Sequence, residues 1–316
     1  MPAKILLKMH KITHIIFNLK NGGAEKLLIE MVKNDNNRIN HQILVIGKEK
    51  KNNFGIYNKI TYLNYNIFRY LNYIIKNRKK NYILKYWLHN VFILSIFPLI
   101  IGKYKIILSI HNELITPKYL GYKNFIFCFL NKIISNYFQI NIIYCSQSSK
   151  NHHLNFGFKA NNVVVHNFIN CDKYNFFPKK SLNKKSKLKF VMVANNTLAK
   201  NHQLLIRILH KLSFNNYSCD LYGYGLHYDS ELKKLISKLN MEKKINLKKF
   251  KHSKNLFLNY DFSFLISDTE SFPMVILESI CQGTLCISSN VGDISKIITN
   301  NNFLLNNSQT IDHLAE

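Results

Sequence analysis

Short runs rich in isoleucine and valine alternate along this chain with stretches of helical spacing, and that rhythm limits the fold more than any other feature. Apolar runs of about 4–8 residues bounded by turn residues read as strands buried on both faces, and alternation with amphipathic helices makes a parallel sheet with crossover helices. In the first half the strand candidates are Ile12 to Phe17, His41 to Ile46, Ile106 to Ile110, Ile140 to Tyr144 and Val163 to His166. A helix from Ala24 to about Lys33 sets Leu27, Leu28 and Met31 on one face. A cluster of Lys, Ser and Asn around Pro178 then punctuates the pattern, and a linker is expected over 173–187. Beyond it the rhythm resumes with strands at Lys189 to Val193, Cys219 to Tyr222, Phe262 to Ile266 and Leu285 to Ser288, and helices at Gln203 to Leu212 and Glu231 to Leu239. The expected fold class is α/β, with two Rossmann-like domains facing across a cleft: 1–172 before the linker and 188–316 after it.

The charge narrows the partners. With Lys+Arg 44 against Asp+Glu 17, the formal net charge is +27, which draws anions: nucleic acid, acidic lipid or a phosphorylated substrate. Nucleic acid is disfavoured because Arg38, Arg69, Arg78 and Arg207 are the only arginines, whereas base and phosphate readers favour the planar guanidinium fork. Two basic, aromatic stretches, Tyr62 to Trp87 and Tyr122 to Tyr137, read as packed helices or as surfaces that lie on a bilayer. The six cysteines form no Cys-x-x-Cys pair and no Cys/His ligand spacing, so neither a metal site nor a disulfide framework is expected. The first residues lack a long apolar core and a small-residue cleavage site, and the apolar run from Val91 to Ile101 is too short to cross a bilayer. A cytoplasmic protein, in peripheral contact with the inner face of an anionic membrane, is the expectation.

The chemistry concentrates in one acidic segment of an acid-poor chain. Asp268-Thr269-Glu270-Ser271-Phe272-Pro273-Met274-Val275-Ile276-Leu277-Glu278 sets Glu270 and Glu278 eight residues apart among apolar neighbours. Ser271 is an expected N-cap, Pro273 suits a first helical turn, and the helix is expected to run from about Pro273 to Gln282 and stop at Gly283. Glu270 then lies in the loop and Glu278 on the second turn, with backbone N–H groups near Phe272 to Val275 making an anion site at the helix start. Carboxylates for hydroxyls beside amides for phosphate suit a nucleotide sugar. The plainer alternative is an acid that complements the helix dipole plus a solvent-facing Glu278.

Several segments in order, NGGAEKLL, SIHNE, IIYCSQSSK, VVHNFIN, ANNTLAKNH, LYGYG and ESFPMVILESICQGTLCISSNVGDISKII, give the chain a resemblance to the retaining family-4 glycosyltransferases of the GT-B fold, the glycosyl transferases group 1. The resemblance implies a hexosyltransferase that moves a sugar from a nucleotide-sugar donor, with retention and without metal, to a saccharide or lipid-linked saccharide acceptor in bacterial surface polysaccharide synthesis. It makes 1–172 the acceptor side and 188–316 the donor-binding domain. By the same resemblance Gly22 and Gly23 approach the donor diphosphate, His111 lies near the transferred sugar, and Lys200 binds the diphosphate and steadies the departing charge. Glu270 reaches the donor sugar, Glu278 holds the ribose, and Ser271, Phe272, Pro273 and Met274 supply the neighbouring donor contacts. His111, Lys200 and Glu270 are thus the candidate catalytic residues, while His89 reads as structural. Two departures stand out. Ala194 and Asn195 occupy the positions of the family's Gly-Arg, so Asn195 replaces the second diphosphate cation at the donor site. The C-terminal end also looks shortened after Ile311-Asp312-His313-Leu314, where the family continues with further helices.

No Asp-x-Asp occurs in the sequence, so the resemblance implies no metal and no other cofactor, the leaving group being steadied by lysine and helix-end amides. Three alternatives remain open at this point: a sugar-nucleotide epimerase of the same fold, a non-catalytic or truncated homologue, and a basic nucleic-acid-binding protein.

Overall fold

In the computed structural model, residues 11–19, 22–35, 39–48, 55–77, 82–102, 104–177, 187–250 and 254–306 are described. The first residues, most of the expected linker and the Ile311 to Leu314 stretch lie outside them. The chain divides into two compact units, Met1–His166 and Asn167–Glu316. This division falls ahead of the linker expected at 173–187, because 167–176 is bound into the second unit. There the Asn167 side chain donates to the Phe272 carbonyl (2.7 Å), the Asn175 N–H donates to the Asn255 side chain (3.4 Å), and Cys171 is joined to Cys281 by a disulfide. That disulfide corrects the expectation drawn from cysteine spacing: its partners are 110 residues apart, so only the fold brings them together.

The first unit is a seven-stranded parallel sheet built from β1 (Lys11–Ile16), β2 (Asn40–Val45), β3 (Ile60–Tyr62), β4 (Tyr82–Trp87), β5 (Tyr104–Ile110), β6 (Asn141–Tyr144) and β7 (Asn162–Val164). Its helices are α1 (Gly23–Asn34), α2 (Ile67–Lys76), α3 (His89–Phe92), α4 (Ile96–Ile101), α5 (Pro117–Leu120), α6 (Tyr122–Tyr137) and α7 (Gln147–Asn155). The strand order is β3-β2-β1-β4-β5-β6-β7. The second unit holds β8 (Leu188–Val193), β9 (Tyr217–Gly223), β10 (Ile245–Lys249), β11 (Phe262–Leu265), β12 (Leu285–Ser289) and β13 (Leu304–Leu305), in the order β10-β9-β8-β11-β12-β13. Its helices are α8 (His202–Lys211), α9 (Ser230–Lys238) and α10 (Met274–Cys281). Each unit thus has the Rossmann-like order, in which the chain works outward from a first strand and then resumes on that strand's other side. The crevice at the carboxyl ends of those two strands is where such sheets bind ligands: β1 and β4 in the first unit, β8 and β11 in the second.

Period and burial explain the elements. Strand β11 is buried at three of its four positions and β8 at its three central ones, as suits central parallel strands, and their Phe190, Met192 and Phe264 join Leu205, Leu209 and Leu221 in the main core of the second unit. In the first unit Leu84, Tyr86, Leu108, Ile110 and Ile142 form the equivalent layer. The stretch Tyr62 to Trp87 needs correction. Among its described residues only Ile67–Lys76 is helical, and Tyr82–Trp87 is the central strand β4, its buried positions alternating until both Tyr86 and Trp87 are enclosed. Aromatic residues with a lysine among them resemble a surface helix, yet they satisfy period two equally well.

Candidate functional site

The crevice of the second unit gathers most of the expected donor residues. After β8 the chain runs through Ala194, Asn195 and Asn196 into a short 3-10 turn, Leu198–Lys200, and Asn201 then adopts a left-handed conformation (φ 47°) that starts α8. After β11 it runs through Ser267 to Phe272 and into α10. The two loops are stitched together across the switch point. The Asp268 N–H donates to the Ala199 carbonyl (2.9 Å), the Asn201 side chain donates to Asp268 (3.0 Å), and Lys200 Nζ forms an ion pair with Glu270 Oε1. Ser267 Oγ donates to the same Glu270 oxygen at 2.8 Å. Lys200 and Glu270, expected to act on different parts of one donor, are therefore direct neighbours, and Glu270 is only 10 % exposed. A lysine ammonium has three N–H donors, so contact with a carboxylate leaves it able to bridge to a phosphate.

Helix α10 is organised differently from expectation. Pro273, not Ser271, is the N-cap residue, in extended conformation (φ −75°, ψ 121°), and it has no side-chain cap. The carbonyls just ahead of the helix are held by other groups: Ser271 O by the Asp293 N–H (3.2 Å) and Phe272 O by Asn167. A proline disfavours helical backbone in the residue before it, which keeps Phe272 outside the helix. Met274 is the first helical residue, and Glu278 sits on the second turn as expected. It is buried, not solvent-facing.

Gly292 was not singled out in the sequence, although it lies within the segment that carries the resemblance. It has φ +61°, and a Cβ there would collide with the Glu270 backbone carbonyl. No side chain fits that contact, so the loop after β12 presses directly on the backbone that carries Glu270. Asn167 and Ser267 also escaped notice, because each acts on a residue distant in sequence or through a side chain common in loops. Asn195 is exposed and turns the chain after β8, its carbonyl accepting from the Thr197 N–H (2.8 Å). It offers the site no charge.

In the first unit, Gly22 caps α1 with extended backbone (φ −90°, ψ 168°) and Gly23 is the first helical residue. The nearest obstacle to a Cβ at Gly22 would be the Glu25 carboxylate, a flexible group, so here glycine is permitted more than it is required. His111 follows β5 directly. Its Nε2 lies 3.0 Å from Ser109 Oγ, and its ring stacks on the Trp87 indole with centroids 5.0 Å apart and planes 4° from parallel. Behind Trp87 runs a buried chain across three strands: Trp87 Nε1–H donates to His14 Nδ1 (3.2 Å), His14 Nε2 bonds His41 Nδ1 (2.9 Å), and His41 Nε2 bonds Asp35 (3.1 Å). Because the indole only donates and the carboxylate only accepts, both imidazoles must be neutral with their protons on Nε2. Burial lowers the pKa of His14 and of His41, in keeping with that assignment, and pushes Lys85, whose Nζ lies 4.6 Å from the Trp87 ring centroid, down to about 8.

His89 is structural in the manner expected. It is buried, its Nε2 lies 3.1 Å from His153 Nε2, and the Asn131 side chain donates to its carbonyl (2.8 Å). His153 Nδ1–H donates to the Ser149 carbonyl (2.8 Å), so His153 Nε2 accepts from His89. Cys128 lies close enough to complete a metal-like trio, but each ring nitrogen of the pair is already engaged within the protein. Burial pushes His153 down to about 4.

Residues 173–316 match the family described as glycosyl transferases group 1. No curated protein matches the chain in sequence. Among solved structures, Anabaena Alr3699/HepE in complex with UDP and glucose superposes with a TM-score of 0.80 at 18% identity, over 97% of this chain and 88% of that one. A glycosyltransferase from Rickettsia africae gives 0.69 at 20% identity, over 98% and 86%. The lipopolysaccharide outer core galactosyltransferase WaaB gives 0.65 at 15% identity, over 96% and 88%. At these identities the structures speak for the GT-B fold of two Rossmann-like domains. The family match spans the unit that carries Lys200, Glu270 and Glu278, and over that unit the chain is similar to the glycosyl transferases of group 1.

Proposed function

We propose that this glycosyltransferase moves a hexose from a uridine diphosphate sugar to a lipid-linked saccharide, with retention of anomeric configuration and without a metal ion. The observation that carries the reading is the Lys200–Glu270 pair at the β8/β11 switch point, beside the start of α10. In this reading the diphosphate lies against the α10 amides and Lys200, the Glu270 carboxylate accepts from hydroxyls of the transferred sugar, and Glu278 accepts from the ribose. The bond from the sugar's anomeric carbon to the β-phosphate oxygen breaks, and a bond to the acceptor oxygen forms. The acceptor's proton leaves with the diphosphate. Negative charge grows on the departing oxygen, where the Lys200 ammonium and the helix-end dipoles stabilise it. Asn195 brings no second cation, so Lys200 carries more of that load. UDP and glucose in the Anabaena protein, and the lipopolysaccharide substrate class of WaaB, support the donor and acceptor classes proposed here.

The test is turnover of UDP-glucose, UDP-galactose and UDP-N-acetylglucosamine with lipid-linked saccharide acceptors, in excess EDTA, with the product's anomeric configuration read by NMR. Transfer that survives chelation and retains configuration supports the reading. Activity that is lost to EDTA and restored by Mg²⁺ or Mn²⁺ overturns the metal-free mechanism, and an inverted product overturns retention. A new sugar nucleotide formed without acceptor would instead identify an epimerase, and donor binding without either reaction a non-catalytic homologue.

A further inference from the structure

Helix α6 of the first unit is inside out. Its buried positions are Cys128, Asn131 and Ser135, while Tyr122, Ile126, Phe129, Leu130, Ile133 and Tyr137 are each at least 38 % exposed. At 3.6 residues per turn those six side chains fall within an arc of about 100°. The three buried ones lie on the opposite side, and Lys123 and Lys132 flank the apolar stripe, one on each edge. An ordinary surface helix has the reverse arrangement.

The inversion is anchored. On the buried side Asn131 donates to the His89 carbonyl (2.8 Å), and toward the helix end Asn136 donates to the Gly157 carbonyl (2.8 Å) and accepts from the Lys159 N–H (2.7 Å). Turning the stripe inward would break all three bonds and bury Lys123 or Lys132. The stripe therefore stays outside, where an apolar face of this size marks an interaction surface.

Charge selects the occupant. Between Glu113 and Asp172 the sequence holds Lys118, Lys123, Lys132, Lys150 and Lys159 and no acid. A second copy of α6 would set lysine against lysine, whereas anionic headgroups neutralise both edges. The 16 residues span about 24 Å, short of a bilayer's apolar core, and among the described residues no helix is long and apolar enough to cross a membrane. Tyrosines at both ends and lysines along both edges suit a helix lying in the plane of the headgroups, with the lysine stems reaching outward past the apolar stripe. We propose that the outer face of α6 docks the first unit on the surface of an anionic lipid bilayer. This extends the lipid-linked acceptor of the proposed function by naming the surface, yet it rests on α6 alone.

The full chain should co-sediment with phosphatidylglycerol-containing vesicles and much less with phosphatidylcholine vesicles. The double variant Phe129→Ser/Ile133→Ser should bind the anionic vesicles about tenfold more weakly, because apolar surface no longer enters the interface. Lys123→Gln/Lys132→Gln should remove the preference for anionic lipid. Undiminished binding by the serine variant, or equal binding to both vesicle types by the parent chain, would overturn the proposal. So would a lipid-free dimer in sedimentation velocity that the serine variant converts to monomer, since a second copy would then be what covers α6. UDP affinity measured without lipid separates the two readings: if it is absent while vesicle binding persists, the donor site fails and the docking face stands. Circular dichroism checks that both variants fold.

Discussion

The two units share a strand order around a switch point but put their polar groups in different places. In the second unit Phe190, Met192, Leu221 and Phe264 build the core, the buried polar groups of β11 and β12 are the small hydroxyls of Ser263, Ser288 and Ser289, and the charged side chains of the candidate site gather beyond the strand ends, where Lys200 meets Glu270. In the first unit polarity runs through the sheet itself: Thr13 and His14 on β1, His41 on β2 and the indole of Trp87 on β4 are all buried, and His14, His41 and Trp87 are joined side to side. The same topology therefore supports two designs. One limits the polarity inside its sheet to serine hydroxyls and puts its charges at the crevice, and the other links imidazoles and an indole inside the sheet, beneath the His111 ring.

Acid should separate the two units most strongly. Burial lowers the pKa of His14, His41, His89 and His153 in the first unit, against His202 alone in the second among the described residues. A histidine kept neutral by burial takes up its proton more readily once the chain unfolds. Below about pH 6.5 the unfolded state therefore binds more protons than the folded one, and stability falls with pH until the folded-state pKa is passed. For His153, held down to about 4, the loss at pH 5 is on the order of 2 kcal/mol, and the other three add to it. We expect the first unit to unfold before the second as the pH drops from 7 to 4 in mild denaturant. Trp87 is the only tryptophan and is buried in the first unit, so its emission follows that unit, while far-UV circular dichroism follows both. Coincident transitions, or an early loss confined to the second unit, would remove the distinction.

In the second unit the decisive changes lie at the crevice. Lys200→Ala should lower turnover about a hundredfold, or about 3 kcal/mol, as for one lost oxyanion donor. The loss should fall mainly on kcat, because the charge it stabilises peaks in the transition state. Asn195→Arg should leave turnover level or raise it, and the exposed Lys238→Ala serves as a control for lost charge. If Lys200→Ala behaves like Lys238→Ala in steady-state kinetics, the diphosphate is held elsewhere. A smaller effect is expected from Glu278→Ala: UDP affinity weaker by about 1–3 kcal/mol, the usual range for losing a charged hydrogen-bond partner. Calorimetry decides it, and unchanged affinity in a folded variant removes the ribose role.

Those crevice residues were legible in the sequence because they lie close together along the chain. Glu270, Pro273 and Glu278 fall within one loop and helix, and Lys200 lies in a segment whose order with the others carried the resemblance. The two Rossmann-like sheets were legible for a similar reason, since each strand announces itself locally. What depended on distant contacts was not. Gly292 matters because the Glu270 carbonyl fills the place of its Cβ, Asn167 because it reaches Phe272, and Cys171 because the fold delivers Cys281. Strand β4 was hidden by its own composition, since tyrosines around Lys85 suit a surface helix as well as a central strand. The His14–His41 chain left no signal, because isolated histidines in apolar runs reveal neither partner nor tautomer.

The smallest predicted effect asks what that chain is for. Trp87→Phe keeps an aromatic ring beneath His111 but removes the Nε1–H that His14 Nδ1 accepts. One neutral buried hydrogen bond is lost and its acceptor left bare, so thermal unfolding followed by circular dichroism should report a loss of about 1–2 kcal/mol. The two roles then separate in kinetics. If the chain only holds the sheet together, kcat and KM stay at parental values below the melting transition. If it also sets the plane on which the His111 ring rests, kcat falls several-fold while KM for the donor barely moves, and a His14→Gln variant, which disturbs the chain one link further back, shifts kcat in the same direction. A stability loss with unchanged kcat in both variants would make the buried chain structural, and the His111 ring would then act without help from the chain behind Trp87.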